Sequence, residues 1–158
     1  MLQEEQDAEE MRAACKARLL RLLNTRERCE SELRFKLSSD GYPSELIDEL
    51  LSWALDCNLV SDQRFAEAYI AGKKNLGWGR ERIERELQAR DINPSTLDGY
   101  PDSFFNEEDE LARAFGQASR VYQGKQDQRQ AVYKRLLSKG FSTSVAFRVA
   151  SEYSHSDI

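Results

Sequence analysis

Residues 32–37 read ELRFKL and are followed by GY at 41–42. The same pattern, a basic amphipathic helix with a turn and an apolar residue after it, recurs as RIEREL at 82–87 with DI at 91–92 and as AVYKRL at 131–136 with GF at 140–141. The copies are offset by about 50 and 49 residues, which is too long for a two-helix unit of about 34 residues and favours three short helices per unit. The sequence therefore predicts an all-α fold, a tandem array of three three-helix repeats that forms an elongated, curved molecule.

Turn residues and helix starts divide the chain into these repeats. Residues 1–10 carry five acids and no base and form an acidic N-terminal tail or helix start, and the repeats are expected at 11–57, 58–104 and 105–158. Ser61 is a suitable N-cap for the first helix of the second repeat. The third helix of that repeat is expected to be truncated, because Gly99 and Pro101 follow closely after Pro94. The turn residues Tyr42, Ile92 and Phe141, together with Trp53, are expected in the core.

Charge is distributed unevenly along the chain. The formal net charge is -5, which argues against simple coating of nucleic acid. Residues 111–151, however, contain eight basic residues and one acid, Asp127. The last repeat is therefore expected to be the electropositive part of the protein.

The residues needed for catalysis or metal binding are scarce. His155 is the only histidine, and the three cysteines form no C-x-x-C pair, so neither a zinc site nor a disulfide framework is indicated. Phosphate-binding loops, dinucleotide-binding glycine motifs and nucleophile elbows are absent from the sequence. We expect a cytoplasmic protein that is not an enzyme, needs no cofactor and has no membrane segment.

The centre of the chain resembles the signature of the RecX family of bacterial recombinase modulators, which is roughly D-D-x-R-F-A followed by G-Y-G-x-x-R-I-x-x-E-L-x-x-[KR]-G-[IV]. Twelve positions match: Asp62, Arg64, Phe65, Ala66, Gly77, Gly79, Arg82, Ile83, Glu86, Leu87, Arg90 and Ile92. Residues 29–37 are also similar to the motif S-x-x-E-L-x-x-K-L of the family's first unit. Two departures affect helix ends. Cys29 replaces a capping serine and Asp91 replaces a glycine, and each change is expected to cost about 1 kcal/mol.

The resemblance implies a non-catalytic negative modulator of RecA. Such a protein binds RecA nucleoprotein filaments, inhibits ATP hydrolysis, strand exchange and filament extension, and so regulates DNA repair, recombination and the SOS response. It would act as a monomer with weak direct binding to single- or double-stranded DNA. A repeat array supplies the extended surface that such a partner requires.

Candidate partner-binding or DNA-binding residues occur in two groups. The first surrounds the glycine-bounded tryptophan and the second lies in the basic third repeat; together they are Lys73, Lys74, Trp78, Arg80, Arg82, Arg85, Arg120, Lys125, Arg129, Lys134, Arg135 and Lys139. Trp78 could anchor an interface or stack on a base, or it could pack on the neighbouring repeat with solvated cations around it. Arg64 is expected to pair with Asp62 or Glu67 and to have a structural role.

Two other functions fit the same sequence. A helical protein that binds nucleic acid directly would account for the basic third repeat and would bind single strands with a steep salt dependence in the absence of any protein partner. A scaffold that joins only proteins would be indifferent to charge reversal at Lys134 and Arg135. Salt dependence separates the direct nucleic-acid binder from the other two.

Overall fold

The computed structural model describes residues 1–121 and 127–153. Within these residues every regular element is a helix and there is no strand, which confirms the all-α prediction. The α-helices are α1 (Leu2–Thr25), α2 (Glu30–Ser39), α3 (Ser44–Asp56), α4 (Asp62–Asn75), α5 (Arg80–Gln88), α6 (Glu107–Ala118), α7 (Gln128–Ser138) and α8 (Thr143–Ser151). No helix in this part of the chain is long and apolar enough to cross a membrane.

The helix starts agree with the local sequence signals in several places. α4 begins after Ser61, whose hydroxyl accepts the Arg64 N–H at 3.2 Å, so Ser61 is the N-cap. The acidic residues of 1–10 belong to α1, which begins at Leu2. In the second repeat the third helix is only a 3₁₀ turn over Pro94–Thr96, in line with the expected truncation.

The chain divides into two compact units, residues 1–66 and 67–158. In the first unit, apolar side chains at intervals of three and four residues on α1, α2 and α3 meet in one core, because each helix buries one face. Its buried members are Cys15, Leu19, Leu22, Leu33, Leu37, Ile47, Leu50, Leu51, Ala54 and Val60. Tyr42 and Trp53 pack against this core, as expected.

In the second unit, α6, α7 and α8 enclose a core that includes Val132, Leu136 and Phe141. The middle repeat buries Ile83, Leu87 and Ile92, which are the residues that the repeat pattern identifies. The core predictions for Ile92 and Phe141 are therefore confirmed.

The second helix of each repeat ends in the same backbone conformation. Gly41, Asp91 and Gly140 occupy equivalent positions, with φ values of +91°, +58° and +93°. Glycine adopts this left-handed region without a Cβ penalty, whereas aspartate is among the few other residues that tolerate it. The turn is therefore kept in the middle repeat despite the replacement of glycine.

In the first two repeats, the second helix is capped by a carboxylate from the first helix of the following repeat. The N-cap positions of α2 and α5 are Cys29 and Gly79, and neither provides a side-chain cap. The Glu30 N–H donates to Asp62 Oδ1, and the Arg80 N–H donates to Glu110 Oε1, both at 2.9 Å. A carboxylate at this end also interacts favourably with the helix dipole.

Arg64 has the expected structural role, but the predicted partner is wrong. Its Nε donates to Glu27 Oε1 at 2.9 Å, and its terminal nitrogen donates to Asn58 Oδ1 at 3.0 Å. Asp62 is engaged with the start of α2 instead. The sequence favoured local partners, whereas the folded chain supplies one 37 residues away.

The backbone of Gly79 lies against the backbone of Gly140. The Gly79 N–H donates to the Lys139 carbonyl at 2.8 Å. A Cβ on Gly79 would overlap the Gly140 carbonyl and the Phe141 nitrogen. Because backbone atoms cannot move aside as the end of a side chain can, this contact requires glycine at position 79.

Asp62→Ala is expected to lower the free energy of unfolding by about 1 kcal/mol, because the start of α2 loses its cap. Urea denaturation followed by circular dichroism measures this change. Asp7→Ala removes an exposed carboxylate of α1 and serves as the control, with an expected change within about 0.5 kcal/mol. Equal effects of the two substitutions would contradict the capping role.

Gly79→Ala is expected to destabilise the protein by about 1–3 kcal/mol through overlap with the Gly140 backbone. Gly72 lies within α4, where an added Cβ meets nothing within 4 Å. Gly72→Ala should therefore raise stability by about 0.5–1 kcal/mol, since alanine favours a helix interior. Thermal unfolding measures both changes: the midpoint of Gly79→Ala should lie below that of the unsubstituted protein, and the midpoint of Gly72→Ala above it. A Gly79→Ala protein of unchanged stability would refute the contact.

Candidate functional site

Trp78 lies in the turn between α4 and α5, between two glycines that the packing requires. The indole is half-buried, and the Trp78 carbonyl accepts a hydrogen bond from Arg113 Nε at 3.3 Å. Gly77 has a φ of +84°, and a Cβ there would overlap the Gln117 amide. The turn that carries Trp78 is therefore held from both sides.

Cations and aromatic rings alternate around this turn. Arg90 Cζ lies 4.8 Å from the Tyr69 ring centroid, and Lys73 Nζ lies 5.2 Å from the same centroid. Lys73 Nζ also lies 4.5 Å from the Trp78 ring centroid, with Arg82 Cζ at 3.6 Å. We call the five residues Arg90, Tyr69, Lys73, Trp78 and Arg82 the cation–aromatic ladder. These distances are within the range of favourable cation–π interactions.

The ladder leaves two cations without a counter-charge. Arg90 pairs with Glu86 at 3.3 Å, but Lys73 and Arg82 have no carboxylate partner in the part of the chain that the structure describes. Trp78 thus holds cations in place. Stacking of a base on the face that Arg82 covers would first require displacement of the guanidinium.

Lys74 and Arg80 are bound within the fold. Lys74 Nζ donates to the Phe104 carbonyl at 2.6 Å. Arg80 Nε donates to Glu84 at 2.9 Å, and its guanidinium lies 5.5 Å from the ring centroids of Tyr100 and Phe105. Both side chains secure the segment 100–105 at the end of the middle repeat, so these contacts explain the two residues without a partner.

Tyr100 is half-buried, and its hydroxyl is buried next to the Arg80–Glu84 pair. Burial raises the pKa of Tyr100 to about 12, and the adjacent Glu84 carboxylate acts in the same direction. The Arg80 guanidinium opposes this effect. The phenol consequently stays neutral over a wide pH range.

Arg135 and Lys139 lie at the end of α7 that faces the Trp78 turn. Arg135 donates to Gln117 Oε1 at 3.1 Å, and the Gln117 amide in turn donates to the Leu76 carbonyl at 3.4 Å. Gln117 is 2% exposed, so this chain of hydrogen bonds is internal. The half-exposed Lys139 accepts the Gly79 N–H through its carbonyl.

The remaining candidate cations among the described residues are exposed. Arg85, Arg120 and Lys134 have no hydrogen-bond or ion-pair partner for their side chains among residues 1–121 and 127–153. Arg129 is exposed as well, with Cζ 5.3 Å from the Phe147 ring centroid. Lys125 lies outside the described residues.

Three aromatic or basic residues of these surfaces are not among the candidates that the sequence indicates: Tyr69, Arg90 and Phe147. Tyr69 lies one helical turn before Lys73, and this i, i+4 spacing could have indicated the contact. Phe147 is 58% exposed on α8, a helix whose other apolar residues are small or buried. Its contact with Arg129 joins α7 and α8, and no residue spacing within either helix could have predicted it.

Comparison with protein families finds two matching segments. A family model described as the first three-helix domain of RecX matches residues 15–53, and one described as the second three-helix domain matches residues 61–98. Regulatory protein RecX of Mannheimia succiniciproducens is 31% identical over 124 residues, which cover 76% of this chain and 81% of that protein. RecX of Vibrio cholerae strain O395 is 33% identical over 78 residues, which amount to about half of each chain, 49% and 51%.

Two solved structures have a similar fold. A crystal structure of regulatory protein RecX matches with a TM-score of 0.78 and 25% identity, covering 94% of this chain and 77% of that one. The crystal structure of RecX from Lactobacillus salivarius matches with a TM-score of 0.76 and 19% identity, covering 90% and 96%. At that identity the second match speaks for the fold alone.

The raised pKa of Tyr100 leads to a prediction for alkaline pH. Below pH 10 the phenol is neutral in the folded and unfolded chains, whereas between pH 10 and about 12 the unfolded chain ionises first. Stability should therefore fall across this range. In Tyr100→Phe, where this group cannot ionise, the fall should be smaller. Thermal midpoints of both proteins across the range measure the difference, and parallel curves would show that Tyr100 does not contribute.

Proposed function

Because this chain belongs to the RecX family of regulatory proteins, we propose that it is a negative modulator of RecA. It binds RecA nucleoprotein filaments and inhibits ATP hydrolysis, strand exchange and filament extension. Through that inhibition it regulates DNA repair, recombination and the SOS response. It has no catalytic activity of its own.

The observation that carries this proposal is a repeated exposed cation. Arg85 on α5 and Lys134 on α7 occupy equivalent positions of the second and third repeats, and both are exposed and unpaired in the described part of the chain. An unpaired surface charge has little structural value, whereas its long-range field attracts a polyanionic partner. A nucleoprotein filament offers both phosphates and acidic protein surface.

The cation–aromatic ladder supports the same function. Lys73 and Arg82 are positioned by Trp78 before any partner arrives, which lowers the conformational entropy lost on binding. Lys139 lies beside the same turn through its hydrogen bond to Gly79. We propose that this group and the two equivalent cations contact the filament, while Lys74, Arg80 and Arg135 maintain the scaffold.

The setting of this activity is proposed from the remaining observations. Cys15, Cys29 and Cys57 are all free thiols, which suits a reducing cytoplasm. We propose that the protein acts as a monomer with repeats at 11–57, 58–104 and 105–158, and that the binding surface belongs to the second and third of them. No cofactor enters this function.

Direct binding to nucleic acid is the second candidate function. α7 and α8 contain four basic residues and no acid, which favours contact with phosphates. Steady-state ATP hydrolysis by RecA on single-stranded DNA, with this protein titrated in, separates the two functions when binding to the bare DNA is measured at the same salt concentration. Inhibition well below the concentration that coats bare DNA supports filament recognition, and inhibition only in step with coating supports the alternative.

Reversal of the two equivalent cations tests the proposed surface. Arg85→Glu with Lys134→Glu is expected to raise the concentration for half-inhibition of RecA by at least about tenfold, because attraction is replaced by repulsion at two contacts. Arg21→Glu with Lys36→Glu, at two exposed cations of the first unit, makes the same change in net charge and serves as the control. If both double variants weaken inhibition equally, only overall charge matters and the proposed surface is wrong.

A further inference from the structure

A groove runs between α7 and α8 and combines an aromatic ring with a cation. It encloses about 310 Å³, and its lining residues are Asp127, Arg129, Gln130, Tyr133, Phe147 and Ala150. The Phe147 ring is 58% exposed, and the Arg129 guanidinium lies 5.3 Å from its centroid. Because the ring lies at the edge of an open groove and beside a cation, its exposed face is available to a planar ligand.

The electrostatic character of the groove indicates the occupant. Neither α7 nor α8 contains a carboxylate, while their basic residues are Arg129, Lys134, Arg135 and Arg148. Among the described residues that line the groove, Asp127 is the one acid, and its carboxylate accepts the Gln130 N–H at 3.0 Å as the cap of α7. The charged side chains of the two helices beside the groove are thus all cationic, and Arg129 in the groove is open to an anion.

We infer that this groove binds single-stranded nucleic acid, with one unstacked base on the Phe147 ring and the adjoining phosphate at Arg129. An aromatic platform beside a cation is the arrangement by which single strands are bound without sequence preference. Gln130 adds an amide that can both donate to and accept from a base edge. A purely apolar peptide would gain nothing from the Arg129 guanidinium in the groove.

This inference deepens the proposed function and rests on it in taking the DNA of the filament as the natural source of the strand. The groove is distinct from the cation–aromatic ladder, where Arg82 lies over the indole. It assigns the stacking role to Phe147 rather than to Trp78. Arg129, selected by its charge alone in the sequence, becomes the phosphate contact.

Binding of the full-length protein to a fluorescent oligothymidylate, measured by anisotropy without RecA, tests the groove. Phe147→Ala is expected to weaken binding about tenfold, the effect typical of one stacked base. On an abasic strand with the same number of phosphates, Phe147→Ala should bind as the unsubstituted protein does. Arg129→Gln should reduce the slope of log affinity against log salt by about one on both strands, since one phosphate contact is lost.

Phe35→Ala is the matched control, because Phe35 is another exposed phenylalanine next to basic residues: it is 71% exposed on α2 and lies between Arg34 and Lys36. It should bind both strands unchanged. Phe147→Leu keeps an apolar side chain for packing but removes the aromatic face, so it should lose affinity for oligothymidylate even if Phe147→Ala proves less stable.

The inference is overturned if Phe147→Ala and Phe147→Leu bind oligothymidylate as the unsubstituted protein does, or if they lose as much affinity for the abasic strand. It is also overturned if these variants bind DNA normally but no longer inhibit RecA. The last result would mean that the groove receives a protein surface. If the unsubstituted protein fails to inhibit RecA while the contrast between the two strands persists, the proposed function fails and the inference stands.

Discussion

The first N–H groups of α2 and α5 require acceptors that the adjacent sequence does not supply. Cys29 and Gly79 stand at the N-cap positions without a capping side chain, and the acceptors are Asp62 and Glu110, about 30 residues further along the chain. A helix start buried without an acceptor would be strongly disfavoured. In the first two repeats, the second helix is therefore completed only when the first helix of the next repeat is in place.

This dependence explains where the first compact unit ends. The unit extends to residue 66 rather than to the end of α3, and the added residues include Asp62 and Arg64, which bond to Glu30 and Glu27. The start of α4 thus completes the structure of the preceding helices. In a repeat protein such nearest-neighbour interactions make folding cooperative along the chain.

The sequence was sufficient for most of the helices because their signals are local. Leu33, Leu37, Ile83 and Leu87 are buried as their spacing predicts, and Ser61 caps α4 as expected. The candidate site was less predictable, because a cation's role depends on which distant group lies beside it. Lys74 reaches a carbonyl 30 residues away and Arg135 an amide 18 residues away, and spacing alone cannot distinguish them from the exposed Lys134.

The cation–aromatic ladder has a consequence for the kinetics of association. Lys73 and Arg82 are held by a ring that carries no net charge, so their own charges are not neutralised as they would be in a salt bridge. No intramolecular ion pair must break before these cations can engage an anion. Their contribution should consequently appear in the rate of encounter, which electrostatic steering raises and added salt lowers, more than in the lifetime of the complex. A protein of net negative charge can in this way still be drawn to a polyanion through one fixed face.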